Sequence, residues 1–90
     1  MALSRERVHA VSRAALAEVA GLTGKDVEKV VALRRDGEVW VLDVEVVDLR
    51  RVPESTDLMA TYRVHLDDAD NVLELRRVRR YVRAWVGDDS

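Results

Sequence analysis

The amino-acid sequence predicts an α+β fold, in which one N-terminal helix packs on one face of a four-stranded, mainly antiparallel β-sheet. Two observations lead to this prediction. Six of the ten alanines, which favour helix, lie in residues 2–20, whereas eight of the seventeen valines, which favour strands, lie in residues 27–47. Runs in which apolar and polar residues alternate then follow one another along the chain, which is typical of strands with one buried face.

The length and composition limit the classes of protein to which the chain can belong. Ninety residues suit one small domain, and we assign residues 1–90 to it, with an ordered core of about residues 4–86. The 15 basic and 17 acidic side chains nearly cancel, which argues against a nucleic-acid-binding surface along the whole chain. The absence of cysteine excludes disulfide scaffolds, cysteine-ligated zinc and thiol catalysis. Because charged residues interrupt the apolar runs, we expect no signal peptide, no membrane span and a cytoplasmic protein.

The first predicted element is a helix from about Ser4 to Ala20. Ser4 is a suitable N-cap, and either Gly21 or Gly24 is expected to end the helix. Apolar residues recur at spacings of three and four, at Val8, Val11, Ala15, Val19 and Leu22. This spacing predicts one apolar stripe that faces the sheet.

Residues 25–35 fit either a short second helix or a strand. We favour the strand because the segment is rich in β-branched residues and is followed at once by Asp36-Gly37. An Asp-Gly pair between two valine-rich runs is typical of a hairpin with a type I′ turn, whose central residues have positive φ.

The three remaining strands are predicted at about Glu38–Arg50, Leu58–Asp67 and Val72–Val78. Alternation places Trp40, Leu42, Val44 and Val46 on one face, with Leu58, Ala60, Tyr62, Val64 and Leu66 on the inward face of the next strand. In the last strand we expect Leu73 and Leu75 to point inward. Pro53 lies in the loop before the third strand, and the acidic turn of residues 67–71 lacks the ligand spacing of a calcium loop.

An arginine cluster follows the last predicted strand. Arg76, Arg77, Arg79, Arg80 and Arg83 lie within residues 76–83, with Tyr81 and Trp85 nearby. Guanidinium groups and aromatic rings can anchor a protein interface, or can bind phosphates and stack on bases. The arginines could also pair within the chain, because the predicted hairpin carries five carboxylates, at Asp36, Glu38, Asp43, Glu45 and Asp48. We favour a structural or protein-binding role over nucleic-acid binding.

One pair of residues could support acid–base chemistry. His65 and Asp67 are two positions apart on one predicted strand face, so their side chains could touch. No nucleophile motif surrounds Ser55, and we favour a solvated surface histidine. The sequence contains no Walker motif, no Gly-x-Gly-x-x-Gly and no metal-ligand spacing, so we predict no cofactor and no metal.

Three segments resemble the gas vesicle protein GvpO family. That family shows a Trp, a Val-Glu-Val core, an acidic residue before Arg-x-Pro, an Asp followed by Ala-x-Tyr, and a closing Arg-Arg-Tyr. The matching residues here are Trp40, Val44-Glu45-Val46, Asp48, Arg51-Val52-Pro53, Asp57, Ala60-Thr61-Tyr62 and Arg79-Arg80-Tyr81, within about residues 20–83. The sequence departs from the family pattern at Asp48, where a Glu is expected, and at Arg63, where an acid is expected.

The resemblance implies a non-enzymatic accessory protein that is needed to form gas vesicles, the gas-filled protein shells that give cells buoyancy. Such proteins are cytoplasmic or associated with the gas vesicle, and their partners are the shell protein or other accessory proteins. We predict the partner-binding residues to be Arg76, Arg77, Arg79, Arg80, Tyr81, Arg83 and Trp85. We predict structural roles for Trp40, Glu45, Arg51, Pro53, Asp57 and Tyr62.

The alternative function is that of a small nucleic-acid-binding regulatory protein with a basic patch. If residues 25–35 were helical, two helices would precede a β-hairpin, which loosely resembles a winged module. The arginine cluster would then contact phosphates, and binding would weaken steeply with salt.

Overall fold

A nineteen-residue helix precedes four strands, which pair in their order along the chain. The computed structural model describes residues 4–86. The main elements are α1 (Arg5–Thr23), β1 (Asp26–Asp36), β2 (Val39–Leu49), β3 (Leu58–Leu66) and β4 (Val72–Val82). A 3-10 turn at Glu54–Thr56 lies between β2 and β3, and the short helix α2 (Arg83–Val86) follows β4. Every neighbouring pair of strands is antiparallel, so the predicted α+β fold is confirmed.

The bounds of α1 are set by its caps. The hydroxyl of Ser4 accepts a hydrogen bond from the backbone N–H of Arg7, which satisfies one of the donors at the helix start. Gly24 adopts φ 71°, and its N–H donates to the carbonyl of Ala20 at 2.9 Å. Because a residue with a side chain avoids this left-handed conformation, the helix ends at Gly24 and not at Gly21.

The core lies between α1 and the face of the sheet that α1 covers. Its buried members are Val11, Ala15, Val19, Trp40, Leu42, Val44, Val46, Ala60, Val64 and Leu66. The helix packs mainly across β1, β2 and β3. Leu22, which we predicted in the same stripe, lies in the last turn of α1 and is exposed.

Residues 26–35 belong to β1, so the prediction of a strand over residues 25–35 is confirmed apart from Lys25, and the helical alternative is wrong. Two irregularities in the register with β2 lie between Val27 and Lys29 and between Val30 and Ala32. Each bulge adds a residue, so Val27, Val30 and Leu33 all pack against the core at a spacing of three. This spacing explains why the segment also fitted a helix.

The hairpin between β1 and β2 differs from the predicted type I′ turn. Asp36 pairs with Val39, so the two loop residues are Gly37 and Glu38. Gly37 has φ 64°, whereas among residues 4–86 the one non-glycine with positive φ is Asp70, so Glu38 has negative φ. Positive φ at the first loop position alone is the pattern of a type II′ turn, in which glycine occupies that position.

The last strand is longer than its apolar pattern predicts. β4 continues to Val82, because a strand at the edge of a sheet can carry charged residues at successive positions. The prediction that Leu73 points inward is wrong: a break in register between His65 and Leu66 leaves it 56% exposed. Val72 and Leu75 pack against the core in its place.

Candidate partner-binding surface

The arginines that the sequence singled out lie on β4 and immediately after it. In antiparallel strands, residues that face each other across the register have side chains on the same side of the sheet. Arg77 lies opposite Tyr62 and is on the side of the helix, whereas Arg79 lies opposite Thr61 and is on the other side. The break in register between these pairs leaves Val78 as an extra residue. The bulge therefore places Arg77 and Arg79, two positions apart, on opposite faces of the edge strand.

Three of the predicted partner-binding arginines form ion pairs within the chain, and for two of them, Arg80 and Arg83, the partner lies on another strand or loop. Nη2 of Arg80 lies 2.8 Å from Oδ2 of Asp48, a carboxylate whose side chain is 6% exposed. Arg83 donates to both carboxylate oxygens of Glu28, at 3.1 and 3.0 Å, and to Oδ2 of Asp57 at 3.2 Å. These neighbours raise the pKa of Arg83 further above its usual range, the hydrogen bond to Glu28 having the largest effect. Arg83 therefore joins the end of β4 to β1 and to the loop before β3.

The other three arginines are exposed and are called here the β4 arginine strip: Arg76, Arg77 and Arg79. Arg76 lies 3.3 Å from Glu74, and both side chains are at least half exposed. Within residues 4–86, no carboxylate lies within 4.0 Å of the guanidinium groups of Arg77 and Arg79. Arg79 instead stacks on the ring of Tyr81, 4.6 Å from its centroid. The guanidinium groups of the strip are thus exposed and are not paired with buried carboxylates.

The two predicted aromatic members of the surface are Tyr81 on β4 and Trp85 on α2. The hydroxyl of Tyr81 donates to Oε2 of Glu45 on β2, so this half-buried side chain is anchored to the sheet. The ring of Tyr81 stacks against the guanidinium group of Arg79. Tyr81 therefore contacts both Glu45 and the arginine strip. Trp85 belongs to α2, but its side chain lies outside the described part of the structure.

Asp57 organises the loop that was predicted to support the fold. Its side chain is 1% exposed and accepts a hydrogen bond from the backbone N–H of Arg51 at 2.7 Å. This bond and the hydrogen bond from Arg83 hold the pKa of Asp57 below its usual range. The side chain of Arg51 is exposed, and Arg51 contacts Asp57 through its backbone N–H. The carbonyl of Pro53 accepts hydrogen bonds from the N–H and the hydroxyl of Thr56, which closes the 3-10 turn.

Trp40 lies at the opposite end of the sheet, in a cluster that sequence reasoning missed. Its side chain is 2% exposed, and the guanidinium groups of Arg7 and Arg35 lie 5.4 and 4.7 Å from its ring. Arg35 pairs with Asp68 at 2.7 Å, and Arg7 pairs with Asp70 at 3.2 Å. The indole and the two ion pairs connect α1 and β1 to the turn before β4. These residues are far apart in sequence, so no local pattern could have grouped them.

Arg63, which stands where the family pattern has an acidic residue, forms an ion pair within this chain. Arg63 donates to both carboxylate oxygens of Asp43, at 2.8 and 3.1 Å, across the β2–β3 register. Tyr62, one position earlier, is half-buried and packs against the core from the other side of β3. An arginine at this position therefore fits because an aspartate lies opposite it.

His65 and Asp67 do not form a catalytic pair. The carboxylate of Asp67 accepts hydrogen bonds from the backbone N–H groups of Ala69 and Asn71, at 2.8 and 2.9 Å, and from the side-chain amide of Asn71. These bonds hold the pKa of Asp67 below its usual range, with those from Asn71 having the largest effect. Asp67 thus stabilises the turn, and His65 lies opposite Val41 in the sheet. Within residues 4–86 no cluster of three His, Asp or Glu side chains could hold a metal ion.

The described part of the chain contains no helix that is both long enough and apolar enough to cross a membrane.

Comparison with known proteins identifies the family. The sequence model of the family described as "Gas vesicle synthesis protein GvpO" matches residues 2–87. A curated relative named "Gas vesicle protein O", from Streptomyces sp. (strain CB03234), is 45% identical over 73 residues, which cover 81% of this chain. The chain spans 57% of the length of that relative, and no solved structure matches it. The resemblance seen in the sequence is confirmed: this chain belongs to the GvpO family of gas vesicle synthesis proteins.

Proposed function

We propose that this protein is a non-enzymatic accessory protein of gas vesicle formation, which acts by contacting other gas vesicle proteins. Its membership of a family described as gas vesicle synthesis proteins supports the gas vesicle role. The similarity to the relative named gas vesicle protein O agrees with it. The protein acts in the cytoplasm or on the gas vesicle itself, where the shell protein and the other accessory proteins are its candidate partners.

The observation that carries a contact mechanism is the exposed β4 arginine strip. Its guanidinium groups lie on an edge strand, while Arg80 and Arg83 on the same segment pair with carboxylates of this chain. Arginine is enriched in protein interfaces, where its planar group binds carboxylates through two parallel hydrogen bonds. Such groups along an exposed edge strand therefore suit carboxylates on another protein.

The proposal is tested by measuring capture of the other gas vesicle proteins. A split-reporter assay or a pull-down should detect at least one partner with the wild-type chain and lose it with Arg77→Glu/Arg79→Glu. The matched control is Arg5→Glu/Arg13→Glu, which makes the same change in net charge on the exposed side of α1. Arg80 is left unchanged, because its reversal would place two carboxylates together at Asp48.

Three outcomes would contradict the proposal. The first is capture of no gas vesicle protein by the wild-type chain. The second is equal capture by the wild type and the β4 variant, which would remove the strip from the interface. The third is a salt-dependent shift of DNA or RNA that is lost in the β4 variant, which would favour the nucleic-acid alternative. The argument from a winged module no longer supports that alternative, because residues 26–35 lie in a strand, β1.

A further inference from the structure

The sheet has two edges, which have the same length but differ in charge. β1 and β4 are the outer strands, and within residues 4–86 no strand pairs with the outer side of either. An edge strand presents unpaired backbone N–H and C=O groups, which can receive a further strand. β1 and β4 each have eleven residues, and each has two irregularities in its register with the neighbouring strand. β4 is therefore long enough to bind an extended segment.

The charges of β4 select the kind of segment that could pair with it. The strand carries four arginines and one acidic residue, Glu74. A second copy of β4 would bring arginines opposite arginines, and like charges on neighbouring strands are destabilising. β1 of a second copy is also a poor match, because its three acidic and three basic side chains leave no net charge. The charge of β4 thus disfavours self-pairing and favours an acidic strand from another protein.

We propose that the outer edge of β4 binds an extended acidic segment of a partner protein as a fifth strand of the sheet. This inference rests on the proposed function and names the chemistry of the partner. Backbone hydrogen bonds supply the pairing, and the β4 arginine strip supplies the preference for carboxylates. Because Arg77 and Arg79 lie on opposite faces, the partner segment carries acidic residues at neighbouring positions, so that each face of the added strand presents a carboxylate.

The test uses a synthetic peptide of about nine residues that repeats Val-Glu-Glu, a length suited to one strand. Amide hydrogen exchange is followed by NMR on the whole chain with and without the peptide. Exchange is expected to slow at backbone amides of residues 76–80, and the peptide is expected to bind Arg77→Glu/Arg79→Glu at least about tenfold more weakly. A fully N-methylated peptide of the same sequence keeps every carboxylate but cannot donate backbone hydrogen bonds, so it should give no protection.

Several results would overturn strand addition. Equal binding of the N-methylated peptide would show that only charge attraction is involved. The inference is wrong if the peptide does not bind, or if it slows amide exchange on β1. It is also wrong if exchange on β4 slows with rising protein concentration in the absence of peptide, which would indicate self-pairing. The same measurement on a complex with a captured gas vesicle protein separates the two proposals. Capture with unprotected β4 amides contradicts strand addition alone, whereas absence of capture contradicts the proposed function.

Discussion

The strands β2 and β4 have the same length but use their charged residues in opposite ways. Both contain eleven residues, and within the described residues 4–86 β2 is paired on both sides whereas β4 is paired with β3 alone. The carboxylates of β2 all have partners: Asp43 with Arg63, Asp48 with Lys25, and Glu45 with Tyr81. On β4, Arg77 and Arg79 are exposed and lie beyond ion-pair distance of the carboxylates in the described chain. The carboxylates of the inner strand are thus paired within the fold, whereas the guanidinium groups of Arg77 and Arg79 on the edge strand are not.

The largest difference between the strands should appear when an apolar residue is shortened. Leu42 on β2 is fully buried, whereas Leu73 on β4 is 56% exposed. Leu42→Ala should lower the free energy of unfolding by about 2–5 kcal/mol, because it removes buried surface and leaves a cavity. Leu73→Ala should lower it by less than about 0.5 kcal/mol. Urea denaturation measures both, and equal losses would show that β4 is covered as fully as β2.

The next prediction separates two arginines that the sequence placed in one set. Arg83 pairs with Glu28 and Asp57, whereas Arg79 contacts the ring of Tyr81. Arg83→Gln should lower the free energy of unfolding by about 1–3 kcal/mol, since it removes charge-assisted hydrogen bonds. Arg79→Gln should change it by less than about 0.5 kcal/mol. Thermal unfolding of the two variants tests this, and a stable Arg83→Gln protein would return Arg83 to the candidate surface.

Acid should weaken the inner contacts while the arginines keep their charge. A hydrogen bond from Lys25 holds the pKa of Asp48 below its usual range, and the backbone N–H of Arg51 does the same for Asp57. A carboxyl whose pKa is lower in the folded state stabilises the fold fully above its unfolded pKa of about 3.9. That contribution is lost as the pH falls towards the folded value.

The acid prediction is measured as Tm against pH between about 2 and 7. The wild-type Tm should fall steeply below pH of about 4, and Asp57→Asn should start lower but fall less steeply. Asp36→Asn is the control, because the side chain of Asp36 is 72% exposed and lies 3.6 Å from Arg34. If the Tm of Asp36→Asn fell with acid as little as that of Asp57→Asn, the acid sensitivity would not be specific to the buried carboxylate.

The fold could be predicted from the sequence because each element carries a local signal. Ser4 and Gly24 bound the helix, and alternation places Leu42, Val44 and Val46 on the buried face of β2. Bulges are not visible in such a pattern, and the break in register near Leu66 is the reason that Leu73 was wrongly placed inward. The identity of β4 as an edge strand also depends on pairing between strands, which no local pattern reports.

The candidate surface was only partly accessible to sequence reasoning. The sequence shows that arginines are dense after residue 75. It does not show which of these arginines lie near carboxylates. Arg83 pairs with Glu28, which is 55 positions earlier in the chain. Asp57 pairs with Arg83 across 26 positions, and the Trp40 cluster joins Arg7 to Asp70 across 63 positions. Contacts over such distances are set by the order and register of the strands, so the division of the arginines required the structure.

Only a small effect on stability is expected for Arg77→Glu/Arg79→Glu, and this makes the variant a sharp test of the comparison. Both side chains are exposed on the edge strand, so the free energy of unfolding should change by less than about 0.5 kcal/mol per site. Arg79→Glu/Arg80→Glu makes the same change in charge but places a new carboxylate beside Asp48, which is 6% exposed. It should unfold at a lower urea concentration because two carboxylates then compete for Lys25.

Urea titration of the two double variants, beside the wild type and Arg5→Glu/Arg13→Glu, decides between the roles of the arginines. If Arg77→Glu/Arg79→Glu keeps the wild-type midpoint and loses its gas vesicle partner, the strip acts in binding and not in folding. If it unfolds as early as Arg79→Glu/Arg80→Glu, the arginines of β4 stabilise the sheet as the carboxylates of β2 do. The charged residues of β4 would then be needed for folding, and β2 and β4 would no longer differ in how they use their charged residues.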